Sequence, residues 1–426
     1  MGTLSCGIDF GTSNSSIAIA SDNNISLVPV ENTHVTIPSA LFFQRVDNKA
    51  FYGRTAIDLF FDRQAGRFMR SLKRVLGTSL MKQGTLVNGT SMSFSTIISS
   101  FLKHIKERAD SVAGEEINYV VMGRPVHFVD NDPAADARAQ SELLLIAQRI
   151  GFKYVEFQFE PIAAAFAHEA QLSGEKLAIV ADLGGGTSDF TVIKLANQRD
   201  QKSDRSSDIL ANTGIRVGGN DFDKELSLAA IMPELGYRST YGPKNLDVPL
   251  KPYVDLAEWS KVNFLYTPKL IMQVRQLLHQ SHDKQRYKRL LQVLEDETGH
   301  TLLAAAEATK IALSTQEAYK ARLDFIENDF FIPIRRALFE QAIRENVEKI
   351  AASARQCLQE AGVRKEAIDL IILTGGSTEV HSIQTAFKNL FPSAAIADQN
   401  KLSSVGLGLA YDSQHKFGQR SKKPLS

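Results

Sequence analysis

The chain has 426 residues, more than one hydrophobic core usually supports, so two or more domains are expected. Its apolar content of 43%, charged content of 23% and formal net charge of +1 describe an ordinary soluble globular protein, with no reason to expect nucleic acid or a membrane surface as its main partner. Only Cys6 and Cys357 are present, too few for a disulfide framework, and no basic-then-apolar leader or membrane-length apolar run is seen, so the expected setting is the reducing cytoplasm.

In chain order, residues 1–37 read as strands. They contain Gly7-Ile-Asp9-Phe-Gly11-Thr12-Ser13-Asn14-Ser-Ser-Ile17, in which an apolar strand and an aspartate lead through a glycine- and hydroxyl-bearing turn into a second apolar strand. The stretch 62–82 is markedly basic. Arg63, Arg67, Arg70 and Arg74 recur at helical spacing and would form one positive stripe, mostly a solvated face, with one member placed to turn toward phosphates. Residues 92–113 look helical, with Ile97, Ile98, Phe101, Leu102 and Ile105 on one face. A buried strand over 117–122 and a helix over 134–150, capped by Gly151, follow. A strand over 154–159 then delivers Glu160-Pro161 to a helix over 162–171. A carboxylate there sits where open α/β sheets place their chemistry, and capping the helix is its alternative role.

Asp182-Leu-Gly-Gly-Gly-Thr-Ser-Asp189 lies between the apolar runs 177–181 and 190–193 and repeats the order of the first hairpin. Three successive glycines leave backbone N–H groups free to curl into an anion-binding nest. Thr187 and Ser188 add hydroxyls, and Asp182 and Asp189 offer oxygen ligands suited to a hard cation such as Mg²⁺. Two such hairpins, one in each half, predict an internal duplication whose halves grip a nucleotide triphosphate from both sides. Two unrelated surface hairpins are the alternative.

Residues 198–208 read as a loop, and Gly218-Gly219-Asn220-Asp221-Phe222-Asp223 as a glycine pair opening a helix, a further phosphate or ribose contact. Residues 233–297 are broken by five prolines and hold the sole tryptophan, Trp259, and they give no clear pattern beyond a solvated basic helical face over 275–289. A helix over 300–321 would carry Glu307, Lys310 and Ser314 on one face, beside alanines that admit a flat ligand; an ordinary surface ion pair is the alternative for the charged two. Another helix ends near Gly362. The apolar run 369–374 reads as a parallel strand buried on both faces, emptying into Gly375-Gly376-Ser377-Thr378 and a helix to about 389. From Ser413 the chain is basic, acid-free and poor in apolar residues, and reads as a disordered tail.

As an ordered set, Gly7–Ser15, Glu160–Ala165, Asp182–Asp189, Gly218–Asp223, Glu307–Ser314 and Ile371–Thr378 resemble the nucleotide-binding domain of the Hsp70 chaperones, within the actin/sugar-kinase/Hsp70 superfamily. The wording is most similar to bacterial YegD-type Hsp70-like proteins. The resemblance implies an α/β, actin-like ATPase fold of two lobes, each built on a duplicated mixed five-stranded-type sheet with flanking helices, and a nucleotide cleft between them. Lobe I would be 1–173, with a C-terminal helix at about 397–415 returning to it. Lobe II would be 174–396, with a subdomain inserted at about 218–333, and 416–426 would be a disordered tail.

The resemblance also implies Mg²⁺-dependent binding and hydrolysis of ATP to ADP, with nucleotide state controlling lobe closure and the binding of protein clients or co-chaperones. Gly11, Thr12, Ser13 and Asn14 would hold phosphates from one lobe and Gly185, Gly186 and Thr187 from the other. Asp9 and Asp182 would orient Mg²⁺ through water, Glu160 and Asp182 would position the attacking water, and Lys73 would reach the γ-phosphate, a role Arg70 or Arg74 could also fill. Gly218 and Gly219 would add a phosphate or ribose contact, and Glu307, Lys310 and Ser314 would meet the adenosine, with Gly375, Gly376 and Ser377 lining the same pocket. Departures fall on the base side: Asn220 replaces a glutamate, Glu379 an arginine that packs on adenine, and Asn400 an aspartate of the pocket. The linker and β-rich peptide-binding domain of a full Hsp70 have no counterpart here, so peptide holding by that route is not expected. The rival functions are a small-molecule kinase of the same superfamily and a nucleotide-sensing scaffold without turnover.

Overall fold

The computed structural model describes residues 3–21, 24–129, 132–169, 172, 174–196, 206–259, 261–397 and 404–418. Two sheets of matching connectivity organise it. The first is built from β1 (Ser5–Phe10), β2 (Asn14–Ser21), β3 (Asn24–Leu27), β4 (Tyr119–Arg124) and β5 (Tyr154–Phe159), in the order β5-β4-β1-β2-β3. A sixth strand, Thr36–Pro38, pairs with the start of β2. The second contains β6 (Glu175–Leu183), β7 (Ser188–Ala196), β8 (Ile209–Ile215), β9 (Leu370–Thr374) and β10 (Ala395–Ala397), in the order β10-β9-β6-β7-β8.

The two orders superpose strand for strand. In each sheet an antiparallel meander of three strands is extended on one side by two parallel strands. The duplication expected from the two hairpins is therefore written into the topology, and the mixed α/β fold is that of the actin-like ATPases. Register repeats as well: Asp9 lies opposite Ser16 in the first hairpin, and Asp182 opposite Asp189 in the second.

Helices α1 (Phe94–Ala113), α2 (Pro133–Arg149), α3 (Glu160–Glu169), α4 (Gly219–Leu226), α5 (Gly299–Thr315), α6 (Arg336–Glu360), α7 (His381–Leu390) and α8 (Ser404–Gly418) cover the sheets. Helix α2 joins the parallel strands β4 and β5, and α7 joins β9 and β10, as parallel pairing requires. The helices that follow each sheet are exchanged. Ile162, Ala164 and Ala165 of α3 pack on Ala178, Val180, Ile193 and Ile372 of the second sheet. In return, Leu409 and Phe417 of α8 pack with Val121, and Ala410 with Ala18 and Ala20, on the first. Both helices are rich in alanine or glycine on these faces, because only small side chains allow two helices to lie between the sheets. Gly408 of α8, for example, rests directly on the Ala163 carbonyl.

Several expectations are corrected. Arg63, Arg67, Arg70 and Arg74 do not form a helical stripe. Arg67 and Arg70 lie on the strand Gly66–Arg70, which pairs with Ala40–Gln44. Arg63 and Ser71, both with positive φ, turn the chain at either side. Residues three apart on a strand face opposite ways, so tertiary pairing splits the basic residues between two surfaces. The helix expected to reach 321 ends at Thr315, where Gln316 turns extended and 318–322 pairs in a hairpin with Phe331–Arg335. The tail expected from Ser413, or from 416, is helical through Gly418, because Phe417 is fully buried and Lys416 is paired with Asp412. Residues 419–426, Asn400 and most of the 198–208 segment lie outside the described residues. No described helix is long and apolar enough to cross a membrane.

Candidate functional site

The carboxyl ends of β1 and β6 and the start of α3 converge on one charged cluster. Lys73, from the 3₁₀ turn Leu72–Val75, donates from Nζ to Glu160 Oε1 at 2.6 Å, and both side chains are about nine-tenths buried. Asp9 and Asp182 stand within the electrostatic reach of that pair. Burial, aided by the charges of Glu160 and Asp182 and opposed by Lys73, pushes the Asp9 carboxyl up to about 8. Asp182 is raised by burial and by Glu160, against a hydrogen bond from Thr374 and the charge of Lys73. Burial would pull Lys73 down, but Glu160, Asp9 and Asp182 together hold it above the ordinary lysine range.

Three carboxyl groups thus share one ammonium, and the site is short of positive charge. Hard oxygen donors with a cation deficit suit Mg²⁺. Among the described residues no group of three or more His, Cys, Asp or Glu side chains is placed to hold a metal ion by itself. Asp189, the other acid of the second hairpin, lies beside Gly214 of β8 and lines the same cavity as Glu160 and Asp182.

Above this floor the two hairpins meet. A methyl group built on Gly185 would stand 2.6 Å from Ser13 Oγ, so the glycine is what allows the first turn to touch the second. Ser39 braces the first turn by donating to the Gly11 carbonyl at 2.7 Å and to or from Ser15 at 2.8 Å. The second turn closes through Gly184 N–H to the Thr187 carbonyl at 2.9 Å. Two of its carbonyls are already occupied: Gly219 N–H donates to Gly184, Asn220 N–H to Gly185, and Ser377 Oγ to Gly184. With these acceptors taken, the turn has N–H groups left to present, the arrangement that attracts an anion. Thr12 and Asn14 sit on the first turn, Asn14 exposed at the start of β2.

On the other side of the second turn, Lys310 Nζ donates to Asp223 Oδ2 at 2.9 Å and to the Gly219 carbonyl at 3.3 Å. This joins α5 to the Gly218–Gly219 turn that opens α4. Asp223 is buried, and its carboxyl is pushed up to about 6 by burial, with Lys310 opposing and Glu307 assisting. Its Oδ1 has no hydrogen-bond partner among the described residues, so this pocket wall holds an unfilled acceptor. Gly375, at φ 82°, passes against Leu183 and Asp182, and Gly376 and the exposed Glu379 continue from it. Ser314, on the same helix, donates its hydroxyl to the Lys310 carbonyl at 3.0 Å. The structure therefore groups Asp9, Lys73, Glu160 and Asp182; Ser13 with Gly185; and Gly218, Gly219, Lys310 and Ser377 with the second turn.

Two residues near the cleft, Phe60 and His300, were not singled out by sequence, and the contacts of two that were, Arg70 and Trp259, were not foreseen. Arg70 places its guanidinium 4.7 Å from the Trp259 ring centre, and His300 lies 5.0 Å from that ring and 4.8 Å from Phe60. Trp259 and His300 belong to the segment following the second hairpin, and Arg70 and Phe60 to the segment preceding β4. These contacts join the two halves at the mouth of the cleft. Burial and the Arg70 charge hold His300 down at about 4. A single tryptophan in an unpatterned, proline-broken stretch was the one available signal. Asp223 and Lys310 were each legible within their motifs, but their pairing across 87 residues was not.

The model of the family described as Hsp70 protein matches residues 5–234 and 276–425. Among curated proteins, the chain is 28% identical over 417 residues to the chaperone protein DnaK of Thermosipho melanesiensis, and 28% identical over 413 residues to that of Thermosipho africanus. Each alignment covers 95% of this chain, and the chain spans 58% of the length of each relative. With matching motifs, a duplicated topology and a family match over most of its length, the chain belongs to the Hsp70 family, and its fold is that of the family's nucleotide-binding domain.

Proposed function

We propose that the chain binds Mg²⁺-ATP between the two sheets and hydrolyses it to ADP and phosphate, with the nucleotide state setting how tightly the halves close. The lobes are taken as 1–173 with the returning C-terminal helix, and 174–396 with an insertion over 218–333. The observation that carries the reading is the meeting of the two equivalent turns, Ser13 against Gly185, directly above the Lys73–Glu160 pair and the two aspartates.

Little covalent chemistry is asked of the protein in phosphoryl transfer; position and charge do most of the work. Gly11 to Asn14 and Gly185 to Thr187 would hold the phosphates. Asp9 and Asp182 would hold Mg²⁺ through water, and the ion, when bound, supplies charge neutralisation for the phosphate oxygens. Glu160 would orient the attacking water, and its contact with Lys73 fixes the carboxylate's direction while bringing the ammonium to the phosphate end. Lys310, held by Asp223, would face the ribose side with Glu307, while Gly375 to Ser377 line the base side, where Glu379 offers a carboxylate. Release of phosphate would remove the bridge between the turns and free the halves to open. A chaperone role, which the relatives' names carry, would be exercised by a protein client or co-chaperone reading that opening, in the cytoplasm.

The test is single-turnover phosphate release with Mg²⁺-ATP, alongside calorimetric binding. Asp182→Asn and Glu160→Gln should bind nucleotide yet release phosphate at least about a hundred-fold more slowly. Release at the wild-type rate in both variants would overturn the assignment.

A further inference from the structure

From the structure we infer that Arg74 is a catalytic residue of this site: a cation reaching from the first half of the chain onto the second phosphate turn, to meet the charge on the terminal phosphate of the nucleotide. The inference rests on the ATPase reading above.

The basic segment before β4 contributes three cations to the cleft, and two are already engaged. Arg70 lies on Trp259, and Lys73 is bound to Glu160. Arg74 is different. Its guanidinium is pressed against the second turn, where a methyl group on Gly186 would stand 2.7 Å from Nη2 and 3.5 Å from Nη1. The guanidinium makes no hydrogen bond or ion pair with any described residue. An exposed guanidinium without a carboxylate is ordinary on a surface. Held across a cleft, over the glycine whose N–H belongs to an anion nest, it is a charge whose partner is an anion that no described residue provides.

Neighbouring positions explain the division of labour. Lys73 and Arg74 are adjacent on one 3₁₀ turn, so their side chains diverge: the ammonium goes down to the carboxylates and the guanidinium goes across to the second turn. Lys73 is largely neutralised by three carboxyl groups. Arg74 is the cation left to act on phosphate. In hydrolysis the water oxygen bonds to the γ-phosphorus as the bond to the β–γ bridging oxygen breaks. The electron pair stays on ADP, and one proton goes to solvent as hydrogen phosphate forms. Negative charge grows on the bridging and γ-oxygens, beside Gly186, where a planar donor of fixed charge is most effective. Because Arg74 comes from the opposite half, its contact also depends on closure, so ATP should gain from it and ADP should not.

The experiment compares wild type, Arg74→Ala and Arg74→Lys in calorimetric binding of Mg²⁺-ATP and Mg²⁺-ADP and in single-turnover phosphate release. Arg74→Ala should lose about ten-fold in ATP affinity while ADP affinity holds, and should slow phosphate release about a hundred-fold or more. Arg74→Lys should restore part of the ATP affinity and little of the rate. Equal losses for ATP and ADP would mean a structural contact only, and an unchanged rate would exclude a catalytic role; either overturns the inference. Failure of the wild type to bind Mg²⁺-ATP at all would overturn the ATPase reading, and this inference with it.

Discussion

The floor and the mouth of the cleft are built on different principles. At the floor, two copies of one topological unit bring Asp9 and Asp182 to corresponding positions, and short-range turn chemistry does the rest. At the mouth, Arg70 meets Trp259 and His300 meets Phe60, contacts between segments with no internal equivalent. Trp259 even lies within 235–275, the stretch that the family match skips. Charges under low dielectric at the floor are worth much and tolerate little change. Ring contacts at the mouth are worth about 1 kcal/mol each and can be broken and remade. On the proposed function, a clamp that holds phosphate firmly and still lets nucleotide leave would use that inequality.

The largest effect should come from the floor. Lys73→Ala leaves Glu160, Asp9 and Asp182 without their shared cation, and removing one partner of a buried pair costs about 3 kcal/mol. Single-turnover phosphate release should fall at least about a hundred-fold. A lowered melting temperature in the free protein, recovered when Glu160→Gln is added, would show that the loss is the stranded carboxylate's. If the single variant melts and turns over like wild type, charge crowding at the floor is not what the cluster is for.

That inequality also governs what could be read from the chain. Asp9, Gly11, Glu160, Asp182 and Gly185 were legible because their chemistry is local: an aspartate at a strand end, followed at once by glycines, constrains its own neighbourhood. The sheets were legible for the same reason, since apolar runs bounded by turns specify strands even before pairing is known. Arg67 and Arg70 were misplaced because residues at helical spacing on a chain that is locally neutral between helix and strand take the form their pairing partner imposes, while Arg74 falls on the 3₁₀ turn Leu72–Val75. Ser314 was correctly placed on its helix face, but which acceptor a hydroxyl chooses is decided by distances of tenths of an ångström. Phe417 was read as tail because one aromatic among polar residues gives no period, yet its burial keeps the last turn of α8 folded.

At the mouth, effects should be smaller and should appear in exchange rather than chemistry. Trp259→Ala removes the face on which Arg70 rests. With about 1 kcal/mol lost, nucleotide release should quicken about five-fold, while single-turnover hydrolysis stays within two-fold. Trp259→Phe keeps a weaker ring and should fall between. A changed hydrolysis rate with unchanged release would show that the mouth acts on the chemistry after all, and the contrast with the floor would fail.

The smallest effect is a pH response confined to the mouth. His300 is held down at about 4, against about 6.5 for a free histidine, by burial and by the adjacent Arg70. The folded state therefore favours the neutral ring. Its contribution is complete above about pH 6.5 and declines as pH falls toward 4, because protonation sets a second cation beside Arg70. Asp9, pushed up to about 8, titrates on the opposite side of neutrality and does not overlap. Since Trp259 is the chain's only tryptophan, its emission reads this contact alone. Emission should shift to the red between pH 6 and pH 4.5, with release quickening about two-fold, and His300→Phe should abolish both while preserving the ring contacts. A shift that persists in His300→Phe would assign the response to another group and leave His300 a packing residue only.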